Sequence, residues 1–592
     1  MTTDYTAQAR TEAGPPSYPL DADRLDDAIS SLESGVKAWA DMPLHRRARL
    51  LERTHESIAD NVVRWTRTAS DLKKLPTSSQ LVGEEWMSGP YAALSGFYVV
   101  AKSLHKLASG HSTVEGLQTS TTPEGRLTWK VLPIGLQEAV LFHGFSAKVW
   151  TLPGVTADEI HAGAGLGATE LGTVGGVSLI LGAGNITSIG PLDALTELVA
   201  HNRASILKIN PTLAPLLSVY REALQPLIDA DLLRIVQGGT AVGEYLSNHP
   251  HITHVHITGS AATHDRIVWG NDNTHSGEPV LKKPITSELG GVSPVIVVPG
   301  EWSKADLRFQ AENIASMRLH NAGHNCIAAQ TVIIDAKWSQ REEFLRELAF
   351  ALEDIDHRDP WYPGSRDKLR QAAAEHSQAE AFSHGQRLLI TLDSDQHEAV
   401  ETTEYFTAVL GVKPITVDSP VGGIPKSVAS IEHVAAFLGL AVDYANNRLA
   451  GTLGANVIVS PATRRSLGPR FDAAIERLHF GSIGINVWTG LAFLTATATW
   501  GAFPGHTLHN VQSGIGVVHN GLLIPHSERT VVSGPFRPFP RSILGGEFSL
   551  FPKPPWFVTA RSAARTGRAL TEFAANPCWA KLPGIFYHAF QA

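Results

Sequence analysis

The sequence predicts an α/β protein with at least two domains, and three observations support this prediction. The chain has 592 residues, which exceeds the roughly 250–300 residues over which one hydrophobic core keeps growing. Apolar residues make up 43% of the chain and charged residues 18%, as in ordered globular proteins. From residue 171 onward, short apolar runs alternate with stretches of helical periodicity, a pattern that predicts a parallel sheet covered by helices.

The first part of the chain is predicted to be helical and then to form a pair of strands. Apolar residues recur at helical spacing between residues 22 and 108. In residues 126–150, β-branched and aromatic residues dominate around Pro133 and Gly135. This composition favours two strands that form a hairpin arm.

Two α/β regions follow the arm. In the first, helical stretches separate the apolar runs GVSLIL, ASILKI, LLRIV and THVHI, and nucleotide binding is the first function that such a sheet suggests. The second begins near Pro284 and extends to about residue 505, with PVIVV, TVIID, ANVIV and IGINVW as its predicted strands. A stretch rich in Pro and Gly, residues 534–555, then separates the tail, residues 556–592.

Charge and cysteine content exclude several classes of protein. The net charge of −8 argues against nucleic acid as a partner, because phosphate binding relies on clustered Lys and Arg. Two cysteines exclude a disulfide framework and a Cys-rich zinc site, and no metal site is predicted. The sequence contains neither a signal-peptide core nor an apolar stretch of about 18 residues. We therefore expect a cytoplasmic protein without a transmembrane segment.

Three segments could carry chemistry. Cys326 follows a Gly-containing turn and precedes small residues predicted to be helical, where backbone N–H groups would lower its pKa and favour a nucleophilic thiolate; a buried, inert cysteine is the alternative. Glu288 precedes an apolar strand, where a raised pKa would suit a general base, and a solvated loop carboxylate is the alternative. Residues 258–260 end a strand and open a helix, as in phosphate-binding turns, although such turns also occur without ligands.

In this order along the chain, the segments resemble the aldehyde dehydrogenase superfamily over about residues 20–545. The family's Glu-Leu-Gly-Gly motif corresponds to residues 288–291, and its Gly-x-x-Cys motif corresponds to residues 323–326. The Glu and the Cys are 38 positions apart (326 − 288), which is close to the family's spacing. Residues 404–406 are similar to the family's Glu-x-Phe.

The resemblance implies a fold with a Rossmann-type cofactor domain, an α/β catalytic domain and a β oligomerisation arm. The implied boundaries are residues 20–125 and 160–284 for the NAD(P)-binding domain, 285–505 for the catalytic domain, 126–159 and 506–545 for the arm and its associated strands, and 546–592 for a C-terminal extension. Through the arm and the segment VVSGPF, it also implies a homodimer or a homotetramer.

The resemblance also assigns roles to individual residues. Cys326 would be the nucleophile, Glu288 the base that activates water, and Asn185 the amide of the oxyanion hole. The implied cofactor is NAD or NADP, and the residues that would bind it are Lys208, Gly239, Thr258, Gly259, Ser260, Leu289, Gly290, Glu404 and Phe406.

The chain departs from the family pattern at several of these places. Gly184 replaces a Trp and Ile186 replaces a Phe, so the substrate tunnel differs. Pro211 lies near the place of an acidic residue that commonly binds the adenosine ribose, which makes NADP credible beside NAD. His264 and His324 replace a Gly and a Gln; they either reshape the cofactor cleft or are ordinary, partly exposed histidines.

The implied activity is oxidation of an aldehyde to a carboxylic acid through a Cys326 thiohemiacetal and thioester. The small-molecule aldehyde is expected to be hydrophobic or long-chain, because the tail could roof the entrance or contact a membrane surface; simple packing on the catalytic domain is the alternative. Within the tail, a helix is predicted over about residues 559–575, with Arg561, Arg565 and Arg568 on one stripe. A CoA-dependent acylating enzyme and a catalytically silent NAD(P)-binding protein are the competing functions.

Overall fold

The computed structural model describes residues 20–271, 275, 277–392, 398–418 and 430–592. Its α-helices are α1 (Ala22–Ala40), α2 (Leu44–Leu72), α3 (Val82–Trp86), α4 (Ala92–Ala108), α5 (Leu136–Leu141), α6 (Ala157–Gly163), α7 (Ile189–His201), α8 (Leu217–Ala223), α9 (Gln225–Asp229), α10 (Thr240–Asn248), α11 (Ala261–Trp269), α12 (Lys304–Leu319), α13 (Arg341–Asp354), α14 (Ser365–Glu375), α15 (Ala399–Thr402), α16 (Ile431–Arg448), α17 (Pro461–Leu467), α18 (Pro469–Arg477), α19 (Gly490–Leu494), α20 (Arg541–Leu544), α21 (Ala563–Ala575) and α22 (Leu582–Ala589).

Most of the strands belong to two large sheets. The strands are β1 (Thr119–Thr121), β2 (Leu127–Leu132), β3 (Ser146–Thr151), β4 (Gly176–Leu181), β5 (Arg203–Lys208), β6 (Leu233–Val236), β7 (Ile252–Gly259), β8 (Ile285–Leu289), β9 (Ser293–Val297), β10 (Ala329–Asp335), β11 (Glu380–Phe382), β12 (Arg387–Thr391), β13 (Val409–Ile415), β14 (Gly454–Ile458), β15 (Ser482–Ile485), β16 (Thr499–Gly501), β17 (Gly514–Ile515), β18 (Val517–Asn520) and β19 (Ser527–Ser533).

The smaller sheet has six strands in the order β17-β8-β7-β4-β5-β6. All neighbours pair in parallel except β17, which is antiparallel to β8. The helical opening region lies against this sheet, and α1, α2, α4 and α7 share one hydrophobic core with β4 and β5. The predicted parallel sheet of the first α/β region is therefore confirmed. Strand β8 belongs to this sheet, so the sheets divide at residues 290–292, just after the implied boundary between 284 and 285.

The larger sheet has eleven strands in the order β1-β2-β3-β19-β15-β14-β9-β10-β13-β12-β11. Its centre, from β15 to β12, is parallel and contains the four strands predicted for the second α/β region. The two predicted arm strands are β2 and β3, which pair with each other in antiparallel fashion. Because β3 also pairs with β19, the arm continues the larger sheet.

The C-terminal extension is part of the hydrophobic core. Its apolar residues Trp556, Leu570 and Ile585 join the same cluster as the larger sheet. Helix α21 packs closely on α3, since a Cβ atom at Gly83 would lie 2.5 Å from the carbonyl oxygen of Ala563. The helix predicted at 559–575 begins only at residue 563, so Arg561 lies outside it and the predicted stripe of three arginines is wrong.

Among the described residues, no helix combines the length and the apolar character that crossing a membrane requires.

Candidate active site

Cys326 lies in the turn between the 3-10 segment His320–Gly323 and strand β10. Asn321 and Ala322 have φ values of 55° and 56°, so the chain reverses sharply before the cysteine. Arg318 fixes this turn by donating from Nη2 to the carbonyl oxygen of Gly323 at 2.6 Å. The cysteine is therefore presented by a turn that buried side chains hold in place.

The expectation of a lowered thiol pKa is wrong. Burial raises the pKa of Cys326 well above 9.0, and the neighbouring carboxylate of Glu288 raises it further. The small residues after the cysteine form strand β10 instead of a helix, so no helix N-terminus offsets these effects. At rest Cys326 is a neutral thiol next to a carboxylate.

Glu288 lies inside β8, where it is 1% exposed. Its register partners are Thr258 on β7 and Gly514 on β17. Neither carboxylate oxygen accepts a hydrogen bond from a nitrogen or oxygen donor of the described residues. Burial raises the pKa of Glu288, and a hydrogen bond with the Cys326 thiol partly counteracts this. The alternative of a solvated loop carboxylate is thus wrong, and the raised pKa is confirmed.

The amide of Asn185 lies against the same turn. Its Nδ2 donates to the carbonyl oxygen of His324 at 2.9 Å, and Asn321 Nδ2 reaches the carbonyl oxygen of Asn185 at 3.3 Å. An amide nitrogen has two hydrogens, so one donor of Asn185 is left for a ligand. The structure therefore brings Cys326, Glu288 and Asn185 together.

A mainly apolar cavity, called here the inner cavity, borders Cys326 and Glu288. Its apolar walls are Met87, Ile186, Ile189, Ile327, Trp488, Phe493, Leu494, Trp500 and Trp556. Ile186, which replaces the family's Phe, is one of these walls.

A second cavity, partly open to solvent and called here the outer cavity, adjoins the first. The two share Met87, Leu494 and Trp556. The C-terminal extension contributes much of its lining: Phe551, Trp556, Leu570, Phe573, Ile585 and Phe586. The extension therefore forms part of an apolar path that leads to Cys326.

Glu404 and Gly290 are in close contact on the other side of the site. A Cβ atom at Gly290 would lie 1.9 Å from Glu404 Oε1, so only glycine leaves room for this carboxylate. Glu404 Oε1 is buried without a hydrogen-bond partner among the described residues. Burial raises the pKa of Glu404 to about 7. An unpaired buried oxygen of this kind fits the hydroxyl group of a bound ribose.

Phe406 is positioned by an aromatic cluster with His324, Trp361 and Tyr362. Phe406 adopts a φ of 53°, and its carbonyl oxygen bonds His324 Nδ1 at 2.7 Å. His324 is completely buried, and burial lowers its pKa to about 3, so the ring is neutral. His264 is also completely buried. The alternative of partly exposed histidines is therefore wrong for both.

The other candidate cofactor residues lie at the ends of strands in the smaller sheet. Lys208 ends β5, and burial lowers the pKa of its ammonium group. Gly239 precedes α10 and has open space beside it. Gly259 ends β7 and Ser260 caps α11, whose free N–H groups suit a phosphate. The Thr258 hydroxyl instead lies inside the protein, 3.4 Å from Asp193 Oδ2, and Leu289 is buried in β8.

Sequence reasoning missed two groups of residues at this site. Tyr362 fills the space left by Gly184, because a Cβ atom there would lie 2.7 Å from the tyrosine oxygen. Glu84 borders the inner cavity and pairs with Arg358 at 2.5 Å. Neither Tyr362 nor Glu84 belongs to a sequence motif. The glycine at position 184, in place of the expected Trp, was the signal that another side chain could fill this space.

Comparisons with known proteins identify what this chain is similar to. Residues 176–407 match the model of the aldehyde dehydrogenase family. The chain is similar to an NADP-dependent glyceraldehyde-3-phosphate dehydrogenase from Bacillus halodurans, complexed with NADP, at 17% identity and a TM-score of 0.55, over 87% of this chain and 92% of that one. It is also similar to a Mycobacterium tuberculosis aldehyde dehydrogenase complexed with NAD+, at 16% identity and a TM-score of 0.56, over 86% of this chain and 90% of that one. A third similar structure is Escherichia coli lactaldehyde dehydrogenase, at 16% identity and a TM-score of 0.54, over 87% of this chain and 91% of that one. At these identities, the structural likeness shows a shared fold.

Proposed function

We propose that this chain is a member of the aldehyde dehydrogenase family, whose model matches residues 176–407, and that it oxidises an aldehyde to a carboxylic acid with NAD or NADP. The observation that supports this proposal best is that the Cys326 thiol and the buried Glu288 carboxylate border the same cavity, with the Asn185 amide held against the turn that carries Cys326. A nucleophile, a base and an oxyanion donor are the groups that acyl chemistry on an aldehyde requires.

In the proposed reaction, the Cys326 sulfur forms a bond with the aldehyde carbon while its proton passes to Glu288. The Asn185 amide and the backbone N–H of Cys326 donate to the resulting oxyanion. NAD(P), when bound, supplies the acceptor for the hydride. Glu288 releases the thiol proton to solvent and, again as a carboxylate, takes a proton from water, which attacks the thioester carbon. The carbon–sulfur bond breaks, the acid leaves and Cys326 regains its proton.

For the cofactor, we propose that Glu404 and Lys208 bind ribose hydroxyls, Phe406 contacts the nicotinamide, and Gly239 and Ser260 border the pyrophosphate. The unpaired, buried Oε1 of Glu404 and the position of Lys208 at the end of β5 support this assignment. The solved relatives named above are complexed with NADP in one case and with NAD+ in another. Residues 209–211 contain no carboxylate that would repel a 2′-phosphate, so both cofactors are expected to bind.

We further propose that the substrate is a hydrophobic aldehyde. The inner and outer cavities have mainly apolar walls and share residues, so together they can accept a long alkyl chain behind the reacting carbonyl group. The presence of Glu288 favours water over coenzyme A as the acyl acceptor, because a thiol needs less activation than water.

The first experiment measures absorbance of reduced cofactor for the wild type and Cys326→Ala, with octanal, with NAD or NADP, and with or without coenzyme A. Cysteine-dependent signal without coenzyme A is the expected result. Signal only with coenzyme A would instead make the protein an acylating enzyme. Bound cofactor without any turnover would leave a silent NAD(P)-binding protein.

A second experiment tests the substrate class. Phe573 lines the outer cavity, whereas Phe548 is exposed, so Phe573→Ala and Phe548→Ala are a matched pair. Loss of the ring at position 573 should raise KM for octanal about tenfold and leave acetaldehyde unchanged. Equal effects on both aldehydes would contradict the proposal.

We also propose a homodimer or homotetramer assembled through the arm, because β1 is an exposed strand at the edge of the larger sheet. Light scattering tests this proposal. A monomeric mass over a range of concentrations would contradict it.

A further inference from the structure

A row of buried polar side chains lies behind Glu288, between the smaller sheet and helix α7. Alternate residues of β7, namely His254, His256 and Thr258, point toward this interface. Helix α7 contributes two carboxylates that face them, Asp193 and Glu197. None of these residues belongs to the site described above except Thr258.

Asp193 is the centre of the part of this row nearest Glu288. Its Oδ1 lies 3.1 Å from His519 Nε2, and its Oδ2 lies 3.7 Å from His256 Nε2. The Thr258 hydroxyl is 3.4 Å from both Asp193 Oδ2 and His256 Nε2. His256 Nδ1 in turn contacts the Thr286 hydroxyl at 2.9 Å. One carboxylate therefore holds two imidazoles.

This cluster is adjacent to Glu288 through two connections. Thr258 is the register partner of Glu288 on the neighbouring strand. His519 lies on β18, directly after the strand that pairs with β8 at Glu288, and its ring contacts Phe493, a wall of the inner cavity. The titratable groups that act on Glu288 are thus Cys326, Asp193, His256, His519 and Glu404.

We propose that His256 and His519, held on Asp193, are positioning residues that keep Glu288 ionised for the hydrolytic step. This inference rests on the proposed function, in which Glu288 removes a proton from water. A carboxyl group with 1% exposure and no nitrogen or oxygen donor loses its proton readily only if positive charge lies nearby.

The charges of the cluster support this role. Protonated His256 places a positive charge near Glu288, and such a charge favours the ionised form of the carboxyl group. Although burial opposes protonation of His256, its ion pair with Asp193 raises the pKa of this histidine. Burial is the main cause of the raised pKa of Glu288, and Asp193 raises it further, whereas His519 and His256 lower it. Loss of either histidine should therefore raise the pKa of Glu288.

The experiment follows decay of the acyl-enzyme against pH. The wild type, His256→Phe and His519→Gln are mixed with octanal and oxidised cofactor, and the Cys326 adduct is followed by intact-protein mass spectrometry. Both variants should form the adduct normally. In both variants, the rate of hydrolysis should begin to fall about one pH unit above the pH at which it falls in the wild type. At a pH below this point, the adduct should therefore decay about tenfold more slowly than in the wild type.

His254→Gln is the matched control. His254 lies two residues from His256 on the same face and bonds the same Thr286 hydroxyl at 2.9 Å. Burial lowers its pKa to about 4, so the substitution removes a neutral ring and should leave the pH profile unchanged.

The remaining outcomes separate failure of this inference from failure of the proposed function. Normal adduct formation with an unshifted acid limb in both variants would overturn the inference while leaving the proposed function intact. If His256→Phe does not fold, His519→Gln decides alone, because that ring is partly exposed. No adduct in the wild type would overturn the proposed function, and the inference with it.

Discussion

Two buried carboxylates, Glu84 and Glu288, border the inner cavity but have opposite electrostatic surroundings. Glu84 Oε2 accepts from Arg358 at 2.5 Å and from the N–H group of Asn321 at 3.0 Å. Although burial opposes this, these partners and His320 lower the pKa of Glu84. Glu288 has no nitrogen or oxygen donor among the described residues, and burial raises its pKa.

The difference indicates that burial alone does not make a base. A carboxylate paired with a guanidinium and a backbone N–H group through one oxygen holds structure, and here it fixes the turn that presents Cys326. A carboxylate that lacks such partners has its proton affinity available for chemistry. The comparison predicts that substitutions of the two residues affect different properties.

The largest expected effect is on turnover by Glu288→Gln. Without the base, hydrolysis of the thioester should slow by about 10²- to 10⁴-fold, because water is no longer deprotonated. Steady-state acid production and intact mass measure this, and the Cys326 adduct should accumulate. Folding stability should not decrease, since no ion pair is lost. A normal rate would place the base elsewhere.

The next effect is on stability by Glu84→Gln. Removing one partner of a buried ion pair leaves Arg358 uncompensated, so the free energy of unfolding should fall by about 3–5 kcal/mol. Chemical denaturation of Glu84→Gln, Arg358→Met and the double variant measures this. The double variant should be more stable than the sum of the single changes predicts. Additive losses would mean that the pair is not coupled.

The pH dependence should separate activity from stability. Below the raised pKa of Glu288, hydrolysis should fall about tenfold per pH unit, because the protonated carboxyl cannot accept a proton. In the unfolded chain the pKa of Glu288 is near 4.5, so between that pH and the raised pKa only the folded chain binds the proton. The free energy of unfolding should therefore increase as the pH falls through this interval. Thermal unfolding and adduct decay at each pH measure the two trends. In Glu288→Gln, the pH dependence of adduct decay and the pH dependence of thermal stability should both be weaker.

The smallest effect concerns the third carboxylate, Glu404. In Gly290→Ala, the new methyl group must displace Glu404, because its position is 1.9 Å from Oε1. We expect a rise of about tenfold in KM for the cofactor, as for loss of a hydrogen bond to a charged group, with little change in Tm. Gly584→Ala in α22 is the control, since its Cβ atom would meet no atom within 4 Å. Unchanged cofactor kinetics would remove Glu404 from the cofactor site.

Motifs predicted the positions of Glu288 and Cys326 because each is embedded in a local pattern of glycines and strand residues. The same patterns could not predict the surroundings. The thiol pKa was predicted with the wrong sign because burial, the main cause of its rise, and the carboxylate of Glu288, 38 positions away (326 − 288), both depend on the folded chain. Glu84 and Arg358 are 274 positions apart and belong to no motif, so only the folded chain reveals their contact.

The fold was more predictable than the site's electrostatics, because periodicity is a local property. The parallel strands of both sheets follow from apolar runs that need no knowledge of their neighbours. The role of the C-terminal extension depends instead on which surface it covers. Its apolar residues predicted burial, but the share that lines the outer cavity is determined by the packing of α21 on α3.

That packing also bears on the order of assembly during translation. The N–H group of Ala564 donates to Gln80 Oε1 across 484 positions, and Gly83 and Gly567 lie in contact. Contacts between residues so far apart in the sequence form late, after the intervening segments have left the ribosome. A nascent chain that already contains Cys326 and Glu288 still lacks one wall of its substrate path, so the nucleophile is complete before its pocket is closed.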